Sequence, residues 1–240
     1  MILMDGAMGT MVGTNASPEV VLAVHREYVE AGAELLKTNT FICTEYESSA
    51  AWARLTRAAG PKLVAGSIGP TIVEAFHESV RGLMDGGVDM LLIETITSTR
   101  TLRAQLAALD KLFEDSGREL PLMLSVTVSK TGDLLSGESL EEFWNSVKSR
   151  KPYSVGINCS FGARHVVPFI ESLARLSTVS VSCHPSAGLP NASGGYDESP
   201  HEFSEILGGL LSRGVIQIAG GCCGTTPAHI RMLQSRAYEG

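Results

Sequence analysis

Short apolar runs rich in β-branched residues alternate with segments of helical periodicity along the whole chain. Eight of the runs have the length of buried strands. They cover residues 2–4, 35–41, 63–68, 88–95, 120–128, 153–159, 179–184 and 215–219. Strands that alternate with helices pair in parallel through right-handed crossovers. The pattern therefore predicts an α/β protein with a parallel sheet.

Helix-start residues occur in the segments between these strands. Ser17-Pro18 and Thr226-Pro227 each place a proline in the first helical turn, where it is tolerated. The spacing of a capping box occurs three times, at Thr44 and Glu47, Ser139 and Glu142, and Ser199 and Glu202. These positions predict helices between successive strands.

Eight strand–helix units in a chain of 240 residues are typical of a single (β/α)8 TIM barrel. No linker or low-complexity stretch divides the chain, so residues 1–240 are predicted to form one domain. An open doubly wound sheet is the alternative. The dinucleotide fingerprint typical of that fold is absent after the first strand, where residues 5–10 lack its glycine spacing.

Charge and apolar content exclude some classes of function. The formal net charge of −7 disfavours a nucleic-acid surface, which needs a basic face. The longest apolar runs are far shorter than a membrane span, and the first residues do not resemble a signal peptide, so a cytoplasmic location is expected. The odd count of five cysteines favours free thiols over a disulfide framework.

Chemically reactive residues concentrate where the predicted strands end. In a barrel, the loops at the carboxyl ends of the strands form the active site. The residues at or just after these ends include two carboxylates, a threonine, a histidine and three thiols. They are Asp5, Thr40, Glu94, Cys159, His184, Cys222 and Cys223.

Three of the cysteines suit a catalytic metal site. Thiolates select zinc and similar metals, and three protein ligands with one open position are the catalytic arrangement. Cys159, Cys222 and Cys223 could meet across the barrel mouth, with glycines around the pair easing unusual dihedrals. The spacing alone leaves open a vicinal disulfide, simple packing, or phosphate binding by the glycine-rich turn at 220–225.

The other candidates also have structural interpretations. Cys43 and Cys183 are expected to be small buried apolar residues, and His184 a packed or hydrogen-bonding one. Asp5 and Glu94 could be solvated or cap helices. Two acids that flank one mouth are better suited to bind the ammonium group of a substrate.

Four segments, at residues 5–10, 38–41, 156–159 and 220–227, resemble the homocysteine S-methyltransferase family over essentially the whole chain. Residues 135–137 and 184–191 are most similar to the homocysteine-binding domain of cobalamin-dependent methionine synthase. The resemblance implies a (β/α)8 barrel in which zinc is held by Cys159, Cys222 and Cys223. It implies methyl transfer to homocysteine, with the zinc-bound thiolate as nucleophile and methionine as product.

The resemblance also implies a substrate site. Asp5 and Glu94 would bind the amino group of homocysteine, backbone amides near Gly6 and Ala7 its carboxylate, and Thr40 would line the pocket. Methionine synthases commonly have asparagine, which can bind the resting zinc, where this chain has Ser186, so the resemblance does not identify the fourth resting zinc ligand.

The methyl donor implied by the resemblance is methylcobalamin on a separate corrinoid module. S-methylmethionine and betaine are the alternatives within the family. The segments after the first three strands are shorter than the family usually has, which leaves a second class of function open. In that interpretation the chain is a non-catalytic subunit that binds zinc or thiols.

Overall fold

The computed structural model describes residues 1–13 and 16–238 and contains eight parallel strands in one sheet. The strands are β1 Ile2–Leu3, β2 Leu35–Lys37, β3 Leu63–Ile68, β4 Met90–Ile96, β5 Leu122–Val126, β6 Ser154–Cys159, β7 Ser180–Pro185 and β8 Ile218–Ala219. From β2 to β8 each strand pairs with the next, β1 pairs with β8, and an isolated bridge between Met4, just after β1, and Leu35 of β2 links the two remaining edges. The predicted single (β/α)8 barrel is confirmed.

Helices follow the strands and surround the barrel. They are α1 Gly9–Val12, α2 Pro18–Glu30, α3 Tyr46–Ala58, α4 Val73–Asp85, α5 Thr99–Ser116, α6 Leu140–Val147, α7 Ala163–Leu176, α8 Pro200–Ser212 and α9 Pro227–Tyr238. A short 3₁₀ turn, Lys148–Arg150, follows α6. Among the described residues, no helix is long and apolar enough to cross a membrane.

Two of the three predicted capping boxes are present. Ser139 with Glu142 and Ser199 with Glu202 each form both reciprocal hydrogen bonds. The third prediction is wrong, because α3 begins one residue later than expected, with Glu45 as its N-cap and no side-chain cap bond. The chain turns just before it, where the N–H of Cys43 donates to the carbonyl of Thr40.

The barrel interior is apolar near the amino ends of the strands and polar near their carboxyl ends. The apolar part is formed by Met4, Leu35, Ala65, Met90, Leu92, Met123 and Ile218. Successive residues of a strand point to opposite faces, so the position two residues further along returns to the interior. This alternation brings Lys37, Ser67 and Glu94 inside, above the apolar layer.

Candidate metal and substrate site

Three sulfur atoms meet at the carboxyl ends of β6 and β8. The Sγ atoms of Cys159 and Cys223 are 3.9 Å apart, those of Cys222 and Cys223 are 4.0 Å apart, and all three lie within 4.8 Å of one another. Tetrahedral zinc with Zn–S bonds of about 2.3 Å requires S–S distances of about 3.8 Å. The spacing therefore fits a metal held by three thiolates.

Neighbouring residues hold the sulfurs in this arrangement through unusual backbone conformations. Cys159 and Ser160 both have positive φ, 53° and 58°. The hydroxyl of Ser160 fixes this turn because it accepts the N–H of Val128 at 2.9 Å. On the other side, Gly224 has φ of 79°, and a Cβ at Gly221 would lie 2.2 Å from Oγ1 of Thr225. Gly221 thus allows the backbone to lie close to Thr225, and Gly224 allows a left-handed backbone conformation.

The three thiols share hydrogen bonds. Bonds from Cys159 and Cys222, with a further one from Tyr196, hold the pKa of Cys223 well below its ordinary value. Hydrogen bonds with the other two thiols, together with burial, raise the pKa of Cys222. These hydrogen bonds favour the thiolate form at Cys223 over that at Cys222. The contact of Tyr196, in the loop after β7, with the cluster was not predicted, because no sequence pattern around this residue indicates it.

Asp5 lies beside the cluster and is engaged by a residue that sequence reasoning missed. Nζ of Lys37 lies 2.8 Å from Oδ1 of Asp5 and donates to the carbonyl oxygens of Asp5 and Gly221. Burial alone would lower the pKa of Lys37, but Asp5 and Glu94 raise it above its ordinary value. Asp5 therefore already holds an ammonium group, and Lys37 ties β1 and β2 to the backbone just before Cys222.

Glu94 has a different environment. Its Oε1 accepts the hydroxyl of Ser67 at 2.5 Å, and its Oε2 lies 3.5 Å from Nε2 of His184. Burial lowers the pKa of His184 well below its ordinary value, so its ring is neutral. Among the described residues, neither ring nitrogen of His184 has a hydrogen-bond partner. Oε2 of Glu94 is thus the carboxylate oxygen best placed to accept a bond from an incoming ammonium.

The remaining predicted substrate residues also lie near the mouth. The N–H of Ala7 donates to Oγ1 of Thr225 at 3.0 Å, a bond that a substrate carboxylate would have to replace. Gly6 packs so closely that a Cβ there would lie 2.6 Å from the same oxygen. Thr40 is buried and donates to the carbonyl of Ser67 at 2.6 Å, which joins β2 to β3.

The structure argues against two alternatives left open by the spacing. All five cysteines are free, and the 4.0 Å between the sulfurs of Cys222 and Cys223 is about twice a disulfide bond. In the turn at 220–225, the N–H groups of residues 220, 221, 222, 224 and 225 donate to protein oxygens, which leaves none of these five for a phosphate.

The two remaining cysteines lie apart from the cluster. Cys183 is buried as predicted. Cys43 is half-exposed rather than buried, because it lies in the loop after β2, where it accepts a hydrogen bond from Ser49.

A model of one protein family matches nearly all of the chain. Residues 2–237 match the family described as homocysteine S-methyltransferase. The chain belongs to this family. The barrel, the three converging sulfurs and the two buried carboxylates thus occur in a member of this family.

Solved structures of other proteins share this barrel fold. The homocysteine methyltransferase MmuM from Escherichia coli in its apo form is 26% identical, with a TM-score of 0.74, over 98% of this chain and 95% of that chain. Its metallated form, at 24% identity and a TM-score of 0.78 over 98% and 96%, shares the fold. So does 3-hexulose-6-phosphate synthase from Salmonella typhimurium, at 10% identity and a TM-score of 0.62 over 100% and 99%.

Proposed function

We propose that this protein transfers a methyl group to the thiol of homocysteine and releases methionine, with zinc held by Cys159, Cys222 and Cys223. The observation that carries the proposal is the spacing of the three sulfurs, which suits tetrahedral zinc with one open position. Zinc bound there would remove the proton of the homocysteine thiol and keep the sulfur as a thiolate. Three anionic ligands withdraw little charge from that sulfur, so it stays nucleophilic.

The protein residues position the amino acid for this reaction. Glu94 accepts the substrate ammonium through Oε2, next to Asp5, whose own charge is balanced by Lys37. The amides near Gly6 and Ala7 receive the substrate carboxylate, and Thr40 forms part of the wall. Holding the thiol close to the donor methyl group in a fixed orientation is the main contribution of such a site.

The proposed methyl donor is methylcobalamin on a separate corrinoid protein. Large apolar side chains are exposed on the loops around the mouth, including Ile42 at 82%, Ile72 at 70%, Leu135 at 62% and Leu189 at 56%. Apolar side chains on several loops of one mouth offer a surface for a protein that carries the corrinoid, since large contiguous apolar patches mark interaction sites. A small donor such as S-methylmethionine or betaine would not need such a rim.

Metal analysis with a matched control tests the proposal. Cys222→Ser should lose zinc and methyl transfer while circular dichroism shows an unchanged barrel, because a chain of this size does not need metal to fold. Cys43→Ser is the control, since that thiol lies outside the cluster, and it should keep both zinc and activity. Full activity of metal-free Cys222→Ser protein would refute the proposal.

Two further measurements separate the alternatives. Methyl-transfer assays with methylcobalamin on a corrinoid protein, S-methylmethionine and betaine identify the donor. Calorimetric titration of the zinc-loaded protein with homocysteine tests for a non-catalytic subunit. Binding that requires both zinc and the substrate amino group supports the enzyme; absence of binding supports the subunit.

A further inference from the structure

Strand β4 contains one extra residue beside Glu94. Ile93 pairs with Leu124, but Ile96 pairs with Val126. An advance of three residues along β4 therefore corresponds to an advance of two residues along β5. Both Ile93 and Ile96 pack in the outer core between sheet and helices, which regular alternation would not allow. The extra residue therefore lets Glu94 and Thr95 lie between two outward-facing isoleucines. Bulges of this kind re-aim side chains next to active sites.

Thr95 adopts a backbone conformation that its side chain disfavours. Its φ is 58°, in the left-handed region that glycine and asparagine tolerate and that is rare for a β-branched residue. Among the described residues, the other non-glycine positions with positive φ are Cys159 and Ser160, at the same mouth, and Lys151, before β6 at the opposite end. Such conformations persist only when surrounding contacts impose them.

Asn158 supplies those contacts. Its Oδ1 accepts the backbone N–H of Thr95 at 2.9 Å, and its Nδ2 donates to Oγ1 of Thr95 at 2.9 Å. The side chain is fully buried, on β6 directly before Cys159. Both ends of the amide are thus used on one residue of β4, two strands away, and this residue follows Glu94.

We propose that Asn158 is a positioning residue for substrate binding. By holding Thr95 in the left-handed conformation, it places the carboxylate of Glu94 to receive the ammonium group of the substrate. Because Asn158 precedes Cys159, the same short segment fixes one metal ligand and the ammonium acceptor relative to each other. This inference rests on the proposed function and assigns it one more residue.

The test uses Asn158→Ala, Thr95→Gly and their combination in the zinc-loaded full chain, with homocysteine as the probe. Asn158→Ala should weaken homocysteine binding about tenfold, or ~1.4 kcal/mol, with one zinc still bound. The space left by the side chain can hold a water that pairs with the N–H of residue 95. Glycine adopts the left-handed conformation without steric cost, so Thr95→Gly should restore most of the affinity of Asn158→Ala.

Lys151→Gly provides the matched control. It also removes a left-handed non-glycine residue, with φ of 48°, but at the end of the barrel away from the site. It should leave homocysteine affinity unchanged and should not rescue Asn158→Ala. If Asn158 only stabilised the fold, there would be two possible results. Either neither Thr95→Gly nor Lys151→Gly would restore homocysteine affinity, or both would restore it through general stabilisation.

Two results would overturn the inference. One is Asn158→Ala that binds homocysteine as tightly as the parent; the other is a double variant that stays as weak as Asn158→Ala alone. If the parent itself does not bind homocysteine, the proposed function fails instead. A crystal structure of Asn158→Ala then decides: the inference stands if residue 95 leaves the left-handed region and Glu94 leaves Ser67, and falls if both stay.

Discussion

Asp5 and Glu94 are two buried carboxylates at one mouth of the barrel, 1% and 5% exposed. Burial raises the pKa of both above their ordinary values. They differ in what surrounds them. Asp5 is paired with Lys37, whereas Glu94 is held by Ser67 and faces a neutral His184. From this contrast we expect Asp5, already paired with an internal ammonium, to matter mainly for stability, and Glu94, with its open oxygen, to matter mainly for ligand binding.

The largest effect is expected when the pair on the β1 side is broken. Asp5→Ala leaves Lys37 buried without its carboxylate, so the free energy of unfolding should fall by about 3–5 kcal/mol in urea denaturation. The double variant Asp5→Ala with Lys37→Met removes both charges and should recover much of the loss. A single variant that loses less than about 1 kcal/mol would show that the pair does not stabilise the barrel.

Acid should lower the free energy of unfolding through His25, whose pKa is affected by burial and by Lys37. Burial, followed by the charge of Lys37, lowers the pKa of His25 from 6.5 to about 4. The unfolded chain binds a proton first, so this stability is present above pH 6.5 and is lost as pH falls towards 4, by about 3 kcal/mol.

A replacement at His25 isolates this contribution. His25→Leu should flatten the pH dependence of unfolding between pH 6.5 and 4, leaving the share of His184. Thr56, which contacts His25, keeps its bond to the carbonyl of Trp52 in that variant. An unchanged slope would assign the acid sensitivity to other groups.

On the β4 side, the expected effect is on binding rather than stability. Glu94→Gln should weaken homocysteine binding about 10- to 100-fold, or ~1.4–2.7 kcal/mol, because a neutral amide cannot form an ion pair with the substrate ammonium. Unfolding should change little. Glu141→Gln on the exposed face of α6 is the control. If Asp5→Asn weakened binding more than Glu94→Gln in the same titration, the roles assigned to the two carboxylates would be reversed.

The smallest effect is expected away from both carboxylates. Ser139→Ala removes one half of the capping box of α6 and should lower the free energy of unfolding by about 1 kcal/mol. Homocysteine affinity should not change, since the box lies on a surface helix. A clear loss of affinity would mean that stability and binding cannot be separated in this protein.

Much of the fold and the main cluster could be predicted from the sequence. Strands buried on both faces give continuous apolar runs, and the chemistry collects where those runs end, so Cys159 and the Cys222–Cys223 pair were predicted to converge. The geometry of the sulfurs agrees with this.

What was missed lies in tertiary detail. A lysine at the end of a strand, such as Lys37, is expected to be exposed to solvent. It lies inside the barrel because its ammonium group contacts Asp5 and Gly221. The extra residue in β4 could not be predicted, because the sequence from Ile93 to Ile96 is compatible with a regular strand as well as with a bulge. Tyr196 reaches Cys223 from a loop whose path no periodicity predicts.

The sulfurs that define the site are separated by 64 residues, from Cys159 to Cys223. During synthesis, a chain that has left the ribosome only as far as β7 presents one of the three ligands, too few for tight metal capture. In the proposed function, zinc uptake would therefore wait until β8 has been made and has joined β7 and β1. If the proposed site binds zinc, the fraction of molecules that carry metal in a preparation gives a lower limit for the fraction of closed barrels, because an unclosed chain lacks the site whereas a closed barrel can be metal-free.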